Sequence, residues 1–215
     1  PYDETGDGFS EMVSMSNTTF GINGFHKFSA RSKLSLDLYR IDEFRRGGNM
    51  FDHLPHEADI PEQVRHKITG TNLALDLFTG KDNMNKLMVY TAAQWIDRDS
   101  YYGAEQDPDA YGRTLDATFS VGAQYHINFS EESSLIAGID NNLSRMEDTK
   151  LGARGKPNTT ITHQYINTVG SFGQWDWRSG IFKATAGLRF DSYLIRDLGH
   201  DGSDVRNDDI RGNVL

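Results

Sequence analysis

The sequence predicts an all-β protein: an antiparallel transmembrane β-barrel, of which this chain supplies about eight strands. Three observations carry that expectation. The first is the stretch LDATFSVGAQYHINF, Leu115 to Phe129. Its odd positions are Leu, Ala, Phe, Val, Ala, Tyr, Ile and Phe; its even positions are Asp, Thr, Ser, Gly, Gln, His and Asn. Successive side chains of a strand point to opposite faces, so this is a strand with one apolar and one polar face. Strands of globular proteins run about 5–6 residues, whereas a tilted membrane strand needs about 9–11. The second observation is a regular alternation of short turns with long polar loops. The third is composition: hydrophobic residues make up 37% and no apolar run suits a membrane helix, yet aromatic residues reach 11% and glycine 21 of 215. A barrel dilutes its lipid-facing residues with polar lumen-facing ones, so low overall hydrophobicity is compatible with membrane insertion.

The remaining elements follow in order. Residues 1–16 are polar and glycine-bearing, hence loop-like; the opening PYDETGDGFSE has no basic or apolar leader, which implies a removed signal peptide or an internal fragment. A strand is expected at about Thr18 to Phe28, then a turn at SARSK. Leu34, Leu36 and Leu38 alternate with Ser35, Asp37 and Tyr39, and Arg40 continues the apolar face where the strand would leave the hydrocarbon. After a loop at about 46–65, Leu73, Leu75 and Leu77 face away from Asn72, Ala74 and Asp76; GKDNMN makes a turn of residues that tolerate left-handed backbone. Leu87 to Ile96 is a strand, 97–113 a loop, and Leu115 to Phe129 the strand already described. Past the turn SEES, Leu135, Ala137, Ile139, Asn141 and Leu143 share a face; 147–160 is a loop. His163 to Trp177, the turn RSG, and Ile181 to Leu194 complete the strands, followed by a polar tail at 196–215.

The short turns centre near residues 31, 83, 131 and 179, a hairpin about every 50 residues. Outer-membrane barrels pair short periplasmic turns with long extracellular loops. On that orientation both chain ends fall in extracellular loops. Bacterial single-chain barrels instead begin and end in the periplasm, so residues 1–215 are expected to be one partial barrel domain.

Several classes are excluded or disfavoured. With no cysteine there is no disulfide, thiol nucleophile or thiolate metal site. The formal charge of −9 disfavours a nucleic-acid partner, which would call for a basic stripe. No G-x-S-x-G, P-loop, H-E-x-x-H or dinucleotide fingerprint occurs, so an enzyme is not expected.

The combination of GLRFD (187–191), FGQWDW (172–177) and EFRRGGNMFDHLPHEADIPEQ (43–63) resembles TonB-dependent outer-membrane receptors, most closely the cobalamin and iron-chelate receptors of Bacteroidetes-type bacteria. The resemblance runs over essentially the whole chain and implies about a third of a barrel of about 22 strands with a plugged lumen. It implies active import of a scarce, large ligand (cobalamin, siderophore or haem) across the bacterial outer membrane. It further implies energy from the TonB complex through a plug domain that this sequence does not contain, and lipid and a surface lipoprotein as partners.

Candidate contacts are of two kinds. Phe51, His53, His56, Tyr101, Tyr102 and Tyr111 fall in expected loops, where aromatic and imidazole groups could meet an extracellular ligand. Asp116, Gln124, His126, Asp140, Arg189 and Asp191 fall on the face expected to line the lumen, where Arg189 and Asp191 could pair across strands or hold the plug. Trp175 and Trp177 suit a periplasmic interfacial girdle. His53 and His56 with nearby carboxylates could bind a transition metal, but histidines beside Pro55 and Pro61 more often serve turns and packing; no metal site is expected there. Asp97, Asp99, Glu105, Asp107 and Asp109 could gather calcium, although solvated loop charge is the simpler reading and no cofactor is expected. The competing reading is a soluble or surface-anchored β-barrel with its apolar face inward around a ligand. Alternation alone does not say which face is outside.

Overall fold

A computed structural model describes residues 3–6, 8–81, 84–153, 155–199 and 209–215. Among these residues nine strands form one antiparallel sheet in strict sequence order, each hydrogen-bonded to its neighbours in the sequence. They are β1 (Phe9–Ser29), β2 (Ser32–Asn49), β3 (Pro61–Thr79), β4 (Asn85–Tyr102), β5 (Tyr111–Asn128), β6 (Ser133–Lys150), β7 (Thr159–Ser179), β8 (Phe182–Asp197) and β9 (Ile210–Val214). A 3₁₀ turn at Pro55–Glu57 is the one helical element among the described residues. The sheet is open, with β1 and β9 at its edges.

The first eight strands are 16 to 21 residues long, and they extend into segments expected to be loops. Residues 46–49, 61–65, 97–102, 111–113 and 147–150 are all strand. Charge alone suggests loop there, but several of the charges are cross-strand pairs. Arg65 forks onto Asp42 at 3.0 and 2.9 Å, and Arg113 onto Asp97 at 3.0 and 2.9 Å. Beyond the apolar band a strand meets water on both faces, so ion pairs replace alkyl contacts as the cross-strand unit. The loop expected at 1–16 likewise gives way to strand from Phe9, and the tail at 196–215 contains the unexpected β9, paired with β8 from Asp191↔Val214 to Ile195↔Ile210. Its five residues are too few for a periodic signal. The turn centre near 83 and residues 200–208 of the tail lie outside the described residues.

Register assigns every strand a polar and an apolar face. A polar-face row runs Lys33↔Asp76↔Met88↔Gln124↔Gly138↔Phe172↔Arg189. The adjacent apolar-face row runs Leu34↔Leu75↔Val89↔Ala123↔Ile139↔Ser171↔Phe190. The two faces differ in crowding. Ile139 is 63% exposed and Leu188 75%, whereas Thr114, Gly122 and Gly170 on the polar face are buried. Among the described residues the buried apolar side chains are Tyr101, Ala58, Pro55 and Pro61, all at or near the long-loop end, so the apolar face does not close into a core. Side chains converge on the inner side of a curved sheet, so the greater burial of the polar face, with side chains that meet across a whole strand (Tyr39 to Gln94, Arg189 to Asp140), marks it as the concave one. That arrangement is the inverse of a soluble ligand-binding barrel.

Long side chains can cross the concave face only where the intervening strand gives way. Tyr39 on β2 lies over Gly70 of β3, and its hydroxyl accepts a hydrogen bond from Gln94 Nε2 of β4 at 2.7 Å. A Cβ at Gly70 would overlap the Tyr39 ring. Part of the chain's high glycine content is thereby explained.

Candidate ligand-facing surface

At one end of the sheet the connections are short: residues 30–31, 129–132 and 180–181. At the other end, residues 50–60, 103–110 and 151–158 are longer and stitched together. Arg46, buried at the end of β2, organises the first: its Nη1 donates to the His53 carbonyl at 2.7 Å, its Nη2 to the Met50 carbonyl at 2.9 Å, and it lies 5.7 Å from the Phe51 ring. Asn49 Nδ2 donates to Asp59 at 2.9 Å, while Asn49 Oδ1 accepts from the Asp59 and Ile60 amides at 3.1 and 3.4 Å. These bonds close the loop base on itself.

The first loop then joins the second. His56 Nδ1 and the Tyr111 hydroxyl share a hydrogen bond of 2.9 Å, and the Glu105 amide donates to the Asp59 carbonyl at 2.8 Å. Tyr101 is 0% exposed, stacks edge-on against Tyr111 at 4.8 Å, and donates its hydroxyl to the Asp107 carbonyl at 2.9 Å. Burial raises the phenol pKa of both tyrosines. Asp109 fastens the second loop to the third: its carboxylate accepts from the Ala153 amide at 3.0 Å and pairs with Lys156.

These positions revise the expected roles of the loop residues. Tyr101 and Tyr111 are opposite one another on the same sheet face as Leu115 and Phe119, not on the concave face. With His56 they brace the loops, and Tyr101 is closed to any ligand. Tyr102 has the opposite parity and remains 55% exposed. Phe51 and His53 lie in the loop that Arg46 gathers. The candidate calcium carboxylates are likewise dispersed, Asp97 to Arg113 and Asp109 to Lys156. Among the described residues no three His, Asp or Glu groups converge as a metal site would require.

Asp116, Gln124, His126, Asp140, Arg189 and Asp191 all fall on the concave face by register. Only the last three form a cluster among themselves. Arg189 on β8 reaches over β7 to fork onto Asp140 of β6 at 2.9 and 2.9 Å, and also holds Asp191 at 2.7 Å. Gly170 lies between, where a Cβ would overlap Arg189 Nη2 and Asp191 Oδ1. Asp116 instead accepts from Thr118 at 3.1 Å and Ser144 at 3.4 Å.

A second polar row crosses the concave face nearer the loops, and sequence reading missed it. Register aligns Glu43, His66, Arg98, Thr114 and Asp148 over five strands. Arg98 Nη2 donates to Thr114 at 2.9 Å, and Thr114 Oγ1 to Asp148 at 2.5 Å. Desolvation, helped by Arg98, lowers the His66 pKa. The signal existed only as residues of opposite charge at matching strand depths, which is invisible until register is known.

Asp109 sets a pH limit on the loop clasp. Lys156 first, then the Ala153 amide, hold its carboxyl below the usual carboxylate range. A carboxyl lowered on folding contributes stability above its unfolded pKa of about 3.9 and loses it as pH falls through the folded value. Hydrogen exchange at the Ala153 amide is therefore expected to stay protected at neutral pH and to accelerate beyond the intrinsic trend below about pH 4. Asp109→Asn should remove that pH dependence.

No family model matches this sequence, and no curated protein does. Among solved structures the chain is similar to the copper transporter OprC, with a TM-score of 0.67 at 13% identity. The match covers 94% of this chain and 33% of that one, so the chain spans about a third of its neighbour's length. The likeness bears on the fold alone: an antiparallel, barrel-type sheet in part.

Proposed function

We propose that the chain is part of the wall and ligand-facing loops of a bacterial outer-membrane importer of the TonB-dependent kind. One observation carries this reading: the long strands expose their apolar face on the convex side and crowd polar and charged groups on the concave side. Water-filled or plugged lumens need such a lining, and lipid needs such an exterior. From Leu115 to Ile127 the apolar band covers about 40 Å of strand, or about 28 Å of height at a tilt near 45°. That matches the apolar belt of outer-membrane barrels. Trp175 and Trp177 lie at the short-turn end of this face, and Trp95 at the loop end, in contact with Phe119 at 5.6 Å. Rings at both ends suit the two interfaces.

The stitched loops are the extracellular side in this reading, and Tyr102 with the concave rows provides the surface a ligand meets. The resemblance of 43–63, 172–177 and 187–191 to TonB-dependent receptors supports a scarce, large ligand such as cobalamin, a siderophore or haem, with a TonB-contacting plug and a surface lipoprotein as partners. The solved neighbour's copper transport supports metal-containing cargo as a class.

Folding in and out of detergent tests the membrane part of the proposal. The full-length protein is expected to show β-sheet circular dichroism and heat-modifiable gel migration only with detergent micelles or lipid. A monomer that folds cooperatively in plain buffer would sink it. Import is tested by starving a deletion strain of each ligand in turn; growth that never depends on the protein would remove the transport role.

A further inference from the structure

Apolar burial in this sheet lies where the strands end, not along them. Among the described residues Pro55, Ala58, Pro61 and Tyr101 are buried, and all four belong to the first long loop or to the strand ends beside it. The two prolines restrict the backbone of the first loop before any tertiary contact forms. Gly48 lets the loop return against its own base: its φ is +101°, and a Cβ there would overlap the Ile60 carbonyl oxygen. Three hydrogen bonds then join the first loop and its return to the second. The Glu105 amide donates to the Asp59 carbonyl at 2.8 Å, the Gly103 amide to the Pro61 carbonyl at 3.3 Å, and His56 shares its 2.9 Å bond with Tyr111.

The third loop is attached differently. The Leu151 amide donates to the Tyr111 carbonyl at 2.9 Å, extending the β5–β6 ladder. Beyond that point two ties to the second loop converge on one side chain, Asp109: the Ala153 amide at 3.0 Å and the Lys156 ammonium. Lys150 adds a second positive charge facing the same carboxylate. The Lys156 side chain is 66% exposed, so water and salt compete for its ion pair. A cleft of about 180 Å³, lined by Asp109, Lys150, Lys156 and Pro157 among others, lies between the two loops. Segments held by exposed bonds open locally, whereas a dry joint opens only with the elements it binds. We propose that the first two loops are a fixed post, continuous with β2 to β5, and that the third is a strap latched to it by Asp109. Release of the strap opens the cleft and leaves the post in place. The strap's part in admitting a ligand rests on the reading that the long loops face outward; the latch itself does not.

Hydrogen exchange of the full-length protein in detergent, read at the Glu105 and Ala153 amides, tests this hierarchy. Ala153 is expected to exchange faster than Glu105. Asp109→Ala should speed exchange at Ala153 at least about tenfold, the worth of a hydrogen bond to a charged group, and leave Glu105 within about twofold. Tyr111→Phe keeps the ring but removes its bond to His56, and should act on Glu105 more than on Ala153. Salt at about 0.5 M should speed Ala153 alone, by screening. Nitroxide pairs at exposed positions add a geometric readout: Leu54→Cys with Ala104→Cys spans the post, and Ala104→Cys with Pro157→Cys spans the latch. Asp109→Ala should broaden only the second distance. Equal acceleration at both amides, or an unmoved Ala153 in Asp109→Ala, would overturn the latch; a broad first distance in the unaltered protein would overturn the post. Heat-modifiable migration verifies folding, and the salt series on the unaltered protein carries the test if Asp109→Ala does not fold. A protein that folds without detergent loses the membrane reading, while the exchange hierarchy, measured in plain buffer, stands or falls separately.

Discussion

Val121→Arg is expected to destabilise the protein in lipid by about 2–4 kcal/mol, the cost of a guanidinium on the outer face at mid-bilayer depth. Val121 sits midway along the apolar band of β5, paired with Thr91 and Asn141, and is 51% exposed on the convex side. Ser120→Arg, one residue away, turns to the concave side, where water or polar side chains receive the charge. Its expected cost is about 1 kcal/mol, chiefly the lost hydrogen bond from Ser120 Oγ to Asn142 at 2.5 Å. Urea unfolding of the full-length protein in vesicles gives both values. A larger loss at Ser120 than at Val121 would invert the two faces and end the membrane assignment.

Arg189→Ala is expected to cost about 1–2 kcal/mol, less than a fully buried pair because the arginine side chain is 44% exposed and partly screened. The loss arises on the carboxylates left behind. Asp140, at 9% exposure, and Asp191 would keep like charges close together with no cation between them. Asp140→Asn in the Arg189→Ala background should therefore recover much of the stability. Gly170→Ala should produce a similar loss by displacing the guanidinium. Combined with Arg189→Ala it should add little, because both changes remove one interaction. Full additivity in unfolding midpoints would show that Gly170 and Arg189 act independently.

The strand pattern was readable because its cause is local. A pleated strand alternates whatever surrounds it, so Leu115 to Phe129 shows two faces without any knowledge of its neighbours. Loop boundaries were harder to read, since a charged strand extension such as Asp97–Tyr102 has the composition of a loop. Only its partners, Arg113 for Asp97 and Tyr111 for Tyr101, identify it as sheet. The loop aromatics fared similarly. Tyr101 and Tyr102 are adjacent and chemically identical, yet one is sealed under a loop and the other is open.

Alternation, strand length and hairpin period, all written in the order of residues, suffice for a long-stranded antiparallel sheet with one apolar and one polar face. Which face is convex, which charges meet, and which glycines must remain bare depend on register and curvature. Those arise from pairing distant strands, as when Arg189 crosses Gly170 to Asp140. Period-2 alternation has the same form whether the sheet curls one way or the other; only in the paired sheet do side chains such as Arg189 and Asp140 meet across a strand on the polar side, which makes that side the concave one and leaves the apolar face outward.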